Sequence, residues 1–248
     1  MLNDRQVNIL KLLEANNLTS VNELSTRLGV SSATIRQDLS FLESEGLIKR
    51  VHGGAVLEDA EDLSNRLGFN YDKKLRIARM AAGLVNDGET ILIESGSTNA
   101  LLARELAKKK NITIITTNVY IARQLRKSEQ AAIILLGGIY QPASESLVGK
   151  MTRGALDQIN FEKAFLGIDG YTVETGFTLR DLFRAEISSY IIKKASDAII
   201  ISDSTKFGKT ELTNICYMSD INRIVTDNEL NASFQAEFIK AGIDLLLS

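Results

Sequence analysis

The chain has no tryptophan and only one cysteine, one proline and one histidine among its 248 residues. The lone Cys216 cannot close an internal disulfide and reads as a small core hydrophobe, so a reducing cytoplasmic compartment is expected. With a single His and a single Cys, the nitrogen and sulfur ligands of a zinc site are missing; neither metal nor cofactor is expected. One proline, Pro142, excludes proline-rich spacers. No apolar run approaches the ~18 residues that cross a membrane. The opening MLNDRQVNILKLLEAN interleaves acids and amides with its apolar residues, unlike the basic-then-apolar layout of a secretory leader. Charge of one sign is lacking too: 29 basic against 31 acidic residues give a net −2. No global field attracts nucleic acid, and any DNA contact must come from local placement.

What is present is the composition of a globular protein, 44% hydrophobic and 24% charged. The length suits one large domain, or a moderate one with a small companion. The chain shows two rhythms. Residues 1–57 read as three short helices and a strand pair. Asp4 caps a helix with Val7, Leu10 and Leu13 on one stripe, flanked by Ile9 and Leu12. Ser20-Val21-Asn22-Glu23 has the form of a capping box before a helix burying Val21, Leu24 and Leu28. Gly29 makes a turn, Ser31 or Ser32 caps a third helix with Ile35, Leu39 and Leu42 inward, and Gly46 ends it. LIKRV and AVL then flank His52-Gly53-Gly54 as a hairpin with a flexible tip. Residues 58–72, acidic and weakly patterned, read as a linker. Over 73–248, apolar runs (TILIE, ITIIT, AIILL, KAFLGI, AIIIS, RIVT, DLLL) mostly alternate with amphipathic helices, one of them near LVGKMTRGALDQI. That alternation predicts a mostly parallel α/β sheet covered on both faces.

Three helices, a glycine turn and a wing satisfy a winged helix-turn-helix, whose third helix enters the major groove of double-stranded DNA. With the apolar stripe inward, Ser32, Ala33, Arg36, Gln37 and Ser40 face outward. Arg pairs bidentately with guanine and Gln with adenine, while hydroxyls at a helix start (Ser31, Ser32, Thr34) suit phosphate. Lys49, Arg50 and His52 on the wing suit the DNA backbone or minor groove. The competing reading is a protein-interaction domain with a solvated polar face, favoured by the balanced charge of this region.

The string SSATIRQDLSFLESEGLIKRVHGGAV resembles the signature of DeoR-family bacterial transcriptional regulators: T-I-R-R-D-L, then L-E, then G-x-(L/I)-x-R, then H-G-G-A. Gln37 stands where a second arginine is commonest in that pattern, which implies an altered operator preference. The resemblance implies that Asp38 orients a basic neighbour and does not touch DNA.

In the larger region, Glu94-Ser95-Gly96-Ser97-Thr98-Asn99 lies between a strand end and a helix start, where backbone N–H groups, hydroxyls and the positive helix terminus favour phosphate. Ordinary capping explains the same residue types equally well. Further strand ends offer Asn118, Gly137, Gly138, Asp169 and Lys206. Asp169 suits sugar hydroxyls and Lys206 an anionic group. The two glycines suit either close approach to a ligand or a plain tight turn. GSTNALLARELA, TTNVYIA, LLGGIY, AFLGIDG, TGFT and DSTKFG are similar, in order, to the DeoR C-terminal sensor domain. The resemblance implies a ribose-phosphate isomerase/coenzyme A transferase fold, with Ser97, Thr98 and Asn99 on phosphate, Asp169 on the sugar and Lys206 on the anionic end. Glu94 replaces the commoner Asp, which implies a different sugar fit. ESGSTNALLAR, GGIYQPASES and GIDGYTVETGFT look closest to the YciT-type branch, which adds Glu145, Arg180 and Arg184 as ligand neighbours. The expected function is a non-enzymatic, sugar-phosphate-gated regulator, most simply a repressor of carbohydrate-metabolism genes, acting as a homodimer or homotetramer. A sugar-phosphate isomerase with an appended DNA-binding module and a purely architectural DNA binder are the alternatives.

Overall fold

Helix α1 (Asp4–Asn16) buries Gln6, Ile9, Leu10 and Leu13, whose spacing of three to four places them on one face. Val7, expected on that stripe, is only half-buried, because the stripe runs from Gln6. The computed structural model describes residues 2–16, 18–57 and 63–248. Within it the chain divides into two units, Met1–Asp72 and Lys73–Ser248.

In the first unit, β1 (Leu18–Ser20) leads into α2 (Val21–Leu28). The Ser20 hydroxyl accepts from Glu23 N at 3.1 Å and caps α2. The Glu23 carboxylate pairs with Arg27 at 2.9 Å, so its side chain serves the helix surface rather than the expected reciprocal box. Leu28, expected in the core, is half-buried. Gly29, at φ 66°, closes α2 in the left-handed region. Helix α3 (Ser32–Ser44) buries Ile35, Asp38, Leu39 and Leu42. The wing strands β2 (Lys49–Val51) and β3 (Gly54–Val56) are antiparallel, and β1 pairs with the free side of β3, giving three strands in order β1-β3-β2. The tip is tied down: Gly53 O accepts from Val21 N at 2.9 Å. A Cβ on Gly54 would lie 2.4 Å from Thr19 O, so this close strand pairing requires glycine there. Of the expected linker, residues 58–62 lie outside the described residues. The remainder carries α4 (Leu63–Gly68) and the start of α5 (Tyr71–Ala82). Buried Leu67 and Tyr71 supply apolar anchors that the acidic composition hides, Gly68 packs on Leu47 and Leu57, and Asn70 N donates to Glu14 Oε1 at 3.2 Å.

The second unit runs β4 (Thr90–Ile93), α6 (Ser97–Leu106), β5 (Ile112–Thr116), α7 (Val119–Leu125), β6 (Ala131–Leu135), β7 (Ile139–Gln141), β8 (Ser146–Val148), α8 (Lys150–Asp157), β9 (Lys163–Leu166), β10 (Gly170–Thr172), β11 (Gly176–Leu179), α9 (Leu182–Lys194), β12 (Asp197–Ile201), β13 (Thr213–Cys216), β14 (Arg223–Thr226), α10 (Ala232–Lys240) and β15 (Asp244–Leu247). Seven strands pair in parallel in the order β15-β14-β12-β9-β4-β5-β6. Ile91–Ile93 and Ala164–Leu166 are fully buried, as central parallel strands covered on both faces demand. From β4 the order runs through β5 to β6, while β9, β12, β14 and β15 follow on the other side. The strand order therefore reverses between β4 and β9, and in open α/β sheets the crevice outside the carboxyl ends at such a point takes the ligand.

Two smaller sheets accompany this one, β10-β11-β13 and the hairpin β7-β8. Leu147 and Val148, expected to open a helix, form β8; α8 starts after Gly149. Helix α10 has no counterpart in the sequence reading. It covers an aromatic cluster in which Tyr171, Phe207 and Phe234 surround fully buried Phe238.

Candidate functional site

The third helix of the first unit turns a polar face to solvent. Ser31 lies extended at the N-cap and its hydroxyl accepts from Thr34 N at 3.2 Å. The Ser31 and Thr34 hydroxyls are 2.9 Å apart. Arg36, Gln37 and Ser40 are exposed, with Ala33 on the same side, and Ser32 is half-buried. The Ser40 hydroxyl donates to Arg36 O at 2.9 Å and accepts from Arg50 Nη1 at 2.9 Å, so wing and helix are laced together. Arg50 N donates to Glu43 Oε1, and Lys49 and His52 are exposed on the same wing. Asp38 points inward: it accepts from Arg5 Nε at 2.5 Å and from Gln6 Nε2 at 3.1 Å, which fixes α3 against α1. All nine sequence-predicted DNA-contact residues thus fall on α3, its cap or the wing.

In the second unit, the carboxyl end of β4 supplies Glu94, Ser95 and Gly96, and α6 begins at Ser97. Gly96 sits at φ 139°, a conformation that side chains disfavour, and no side-chain hydrogen bond caps the helix. First-turn amides lack intrahelical partners, so an uncapped start is a cluster of donors at the positive end of a helix dipole. Ser97, Thr98 and Asn99 are buried. Asn99 Nδ2 donates to Ser95 O at 3.1 Å and Phe165 O at 3.4 Å, which binds α6 to the ends of β4 and β9.

Beside this loop lies a buried ion pair. Arg184, from the start of α9, reaches Glu94 through Nη2–Oε1 at 3.2 Å and Nε–Oε1 and Nη2–Oε2 at 3.4 Å. Burial is the largest influence on Glu94 and pushes its pKa up against the pull of Arg184. Burial alone would lower the Arg184 pKa; Glu94 and Asp169 outweigh it and hold the guanidinium charged. Both Glu94 oxygens accept from the guanidinium, and we assign the pair as ionised on that geometry. Asp169, after β9, is buried and accepts from Arg180 N at 3.3 Å. A turn missed in the sequence completes the wall. Ser144 O accepts from Ser95 Oγ at 3.3 Å and from Asn118 Nδ2 at 2.9 Å, while Asn118 also caps α7 through Ile121 N. Pro142 was its only sequence signal. Glu145 pairs with Arg123 at 3.2 Å.

Glu94, Ser95, Asn99, Asn118 and Asp169 are therefore brought together with Arg184 around the β4 and β9 ends. Gly138 packs closely against protein: a Cβ there would lie 2.0 Å from Thr152 Oγ1 and 2.8 Å from Val148 O. Gly137 lies at the β6 end, where its carbonyl accepts from Thr152 Oγ1. Lys206 sits two strands from β4, at the β12 end. There Asp203 is buried, yet Lys74, Thr205 and Lys206 hold its pKa below the ordinary value. A cavity of about 580 Å³ opens at the opposite, amino edge of the sheet, lined by Glu89, Thr90, Phe161, Lys163 and Lys194. Glu89 and Lys163 neutralise each other there at 2.6 Å.

The two units have separate family matches: the DeoR-like helix-turn-helix domain over residues 5–61 and the DeoR C terminal sensor domain over residues 69–228. The chain belongs to the DeoR family. The HTH-type transcriptional regulator GolR of Listeria innocua is 34% identical over 249 residues, covering 99% of this chain and 98% of its own length. The putative aga operon transcriptional repressor of Escherichia coli O157:H7 is 28% identical over 250 residues, covering 98% and 93%. This DeoR-family chain is a helix-turn-helix transcriptional regulator. Among solved structures, a D-ribose-5-phosphate isomerase in complex with phospho-erythronic acid aligns over 55% of this chain and 54% of its own at 19% identity, with a TM-score of 0.41.

Proposed function

We propose that this DeoR-family regulator is a repressor of carbohydrate-metabolism genes, and that a phosphorylated sugar at the β4/β9 crevice gates its hold on double-stranded operator DNA. The reader comprises residues 1–57 and the sensor residues 73–248. Arg36 and Gln37 address bases; Ser31, Ser32, Thr34, Ser40 and the wing residues Lys49, Arg50 and His52 address phosphates or the minor groove. The observation that carries the sensor reading is the uncapped start of α6 at the strand-order reversal. An effector phosphate supplies the missing cap from Ser97 to Asn99, with Asp169 and Glu94 facing the sugar. Lys206, at the β12 end, is assigned to the anionic end of the effector.

The effector is read as sensed, not converted, in keeping with the regulators this chain is similar to; of the two carboxylates facing the sugar, Glu94 is engaged by Arg184. The regulator works in the cytoplasm as a homodimer or homotetramer, which sets reader spacing to half-sites ~34–36 Å apart or a multiple. The apolar β6 edge, AAIIL, of which no residue is buried, supports such association. Coupling of ~1–3 kcal/mol between effector and operator is expected, acting through different affinities for two arrangements. The test is a gel shift on the DNA upstream of the protein's own gene across a sugar-phosphate panel, with product assay in parallel. A panel member that shifts operator affinity and is recovered unchanged supports the reading. Steady turnover, or operator affinity indifferent to every ester, overturns it.

A further inference from the structure

The parallel sheet of the sensor unit ends in two unlike edges. At one, β15 opens on Asp244, which pairs with Arg223 at 3.5 Å and stays largely exposed, a charge of the kind that keeps an edge from pairing further. At the other, β6 reads AAIIL, with no charge, no proline and an unbroken register on β5 from Ala131 to Leu135. Ile134 and Leu135 are 40% and 42% exposed. The outward groups of β6 follow from its pairing. Leu136 N donates to Thr116 O on the β5 side, and backbone groups alternate sides along a strand, so those of Ala131, Ile133 and Leu135 face outward. Ala131 N agrees, since it donates to Ser128 Oγ at 3.2 Å instead of to the ladder. Apolar surface continues past the strand. Thr152 Oγ1 donates to Gly137 O at 2.8 Å, which brings the first turn of α8, with Met151 72% exposed, to the carboxyl end of β6. Ile139, 67% exposed, lies beside the start of that helix: a Cβ on Gly149 would be 3.4 Å from its Cδ1.

We infer that β6 pairs antiparallel with β6 of a second copy about a twofold axis at Ile133, so that one sheet runs through both sensor units. This rests on the self-association proposed above and names the surface that makes it. In that register Ile133 exchanges both backbone bonds with the partner's Ile133, and the outward groups of Leu135 meet the partner's Ala131. The side chains complement one another in volume: Ile134 stands opposite the partner's Ala132, and Leu135 opposite the partner's Ala131. Sliding by two residues, the next register that keeps outward groups facing, shortens the ladder and sets Ile133 against Leu135 or alanine against alanine. A strand with alanines at one end and bulk at the other is complementary to its own reverse, which is the property an isologous contact needs. Ile139 and Met151 flank the ladder and extend the contact toward the ~800 Å² per copy of a stable interface.

Sedimentation equilibrium of the full chain tests this with two variants and a crosslink. Ile133→Pro removes an outward N–H and leaves the β5 ladder whole, because an edge strand tolerates proline where its N–H faces away from the sheet. Ile134→Lys puts a charge against the partner's Ala132. Either variant should halve the mass of the assembly, taking a dimer to monomers or a tetramer to dimers. Ile133→Cys should form a disulfide between copies under mild oxidation by glutathione disulfide, since a hydrogen-bonded pair sets Cα atoms ~5.5 Å apart. Ile134→Cys should crosslink far less, its two copies being diagonal neighbours at ~7–8 Å. The native Cys216 is buried and gives little background. A melting scan reports whether each variant folds; if Ile133→Pro does not, Ile134→Lys and the crosslinks decide. Folded variants of unaltered mass, or a crosslink at Ile134→Cys that matches or exceeds the one at Ile133→Cys, would overturn the inference and leave self-association intact. A wild-type chain that stays monomeric at every concentration would overturn both and leave the edge to a strand of another protein.

Discussion

Helices α3 and α6 meet their surroundings in opposite ways. Helix α3 is capped by its own Ser31 and turns Arg36, Gln37 and Ser40 outward, so its information is in side chains. Helix α6 buries every residue from Ser97 to Ala103 and has no side-chain cap, so what it offers is backbone. A helix that reads a variable partner presents exchangeable groups, whereas one that holds a constant group such as phosphate needs only the peptide amides at its start. On the reading proposed above, the same secondary structure is divided between discrimination and retention.

The sharpest way to break this contrast is Arg184→Met, which leaves buried Glu94 without the guanidinium that both its oxygens accept from. Sensor-unit stability should fall by about 3–5 kcal/mol in calorimetry, and operator binding should persist at temperatures where the variant remains folded. Somewhat smaller, Asp203→Asn should cost about 3 kcal/mol near neutral pH by removing a buried charge that Lys74, Thr205 and Lys206 stabilise. The Asp203 pKa is lowered on folding, so its stabilisation is full above the ordinary Asp value of ~4 and lost as pH falls through the folded value. Wild type and variant should therefore converge in acid-denaturation curves below about pH 4, and a constant gap would remove Asp203 from this role. Arg36→Ala should weaken sequence-specific operator binding by ~1–3 kcal/mol in a fluorescence titration, with no change in stabilisation by phosphate esters. The smallest effect is Ser31→Ala, about 1 kcal/mol of reader stability by thermal melting. A similar loss of effector binding in that variant would blur the division between the two helices.

Much of this was legible in the sequence, for reasons that differ by element. Strands β4, β5, β9 and β12 announce themselves as apolar runs because central parallel strands are buried on both faces. Helix α3 was readable because Ser31, the Ile35-Leu39-Leu42 stripe and Gly46 act within a few residues of each other. The strands β7 and β8 were hidden, since their turn is held by Ser95 and Asn118, which lie far off along the chain. Helix α10 was hidden because only Phe238 is buried while its neighbour Ile239 is exposed, which blurs the stripe. Within the crevice, the glycine turn from strand to helix could be read locally, whereas its lack of a side-chain cap could not. That Gly138 packs on Thr152, and that Lys74 joins Lys206 in lowering the Asp203 pKa, depend on which elements become neighbours and could not be.

The clamp of Arg5 and Gln6 on Asp38 grips the recognition helix from its hidden side. On the reading proposed above, in which α3 enters a DNA groove, its pitch there is adjustable from α1. Selection could then retune operator choice through leverage, leaving the exposed side chains of Arg36 and Gln37 untouched.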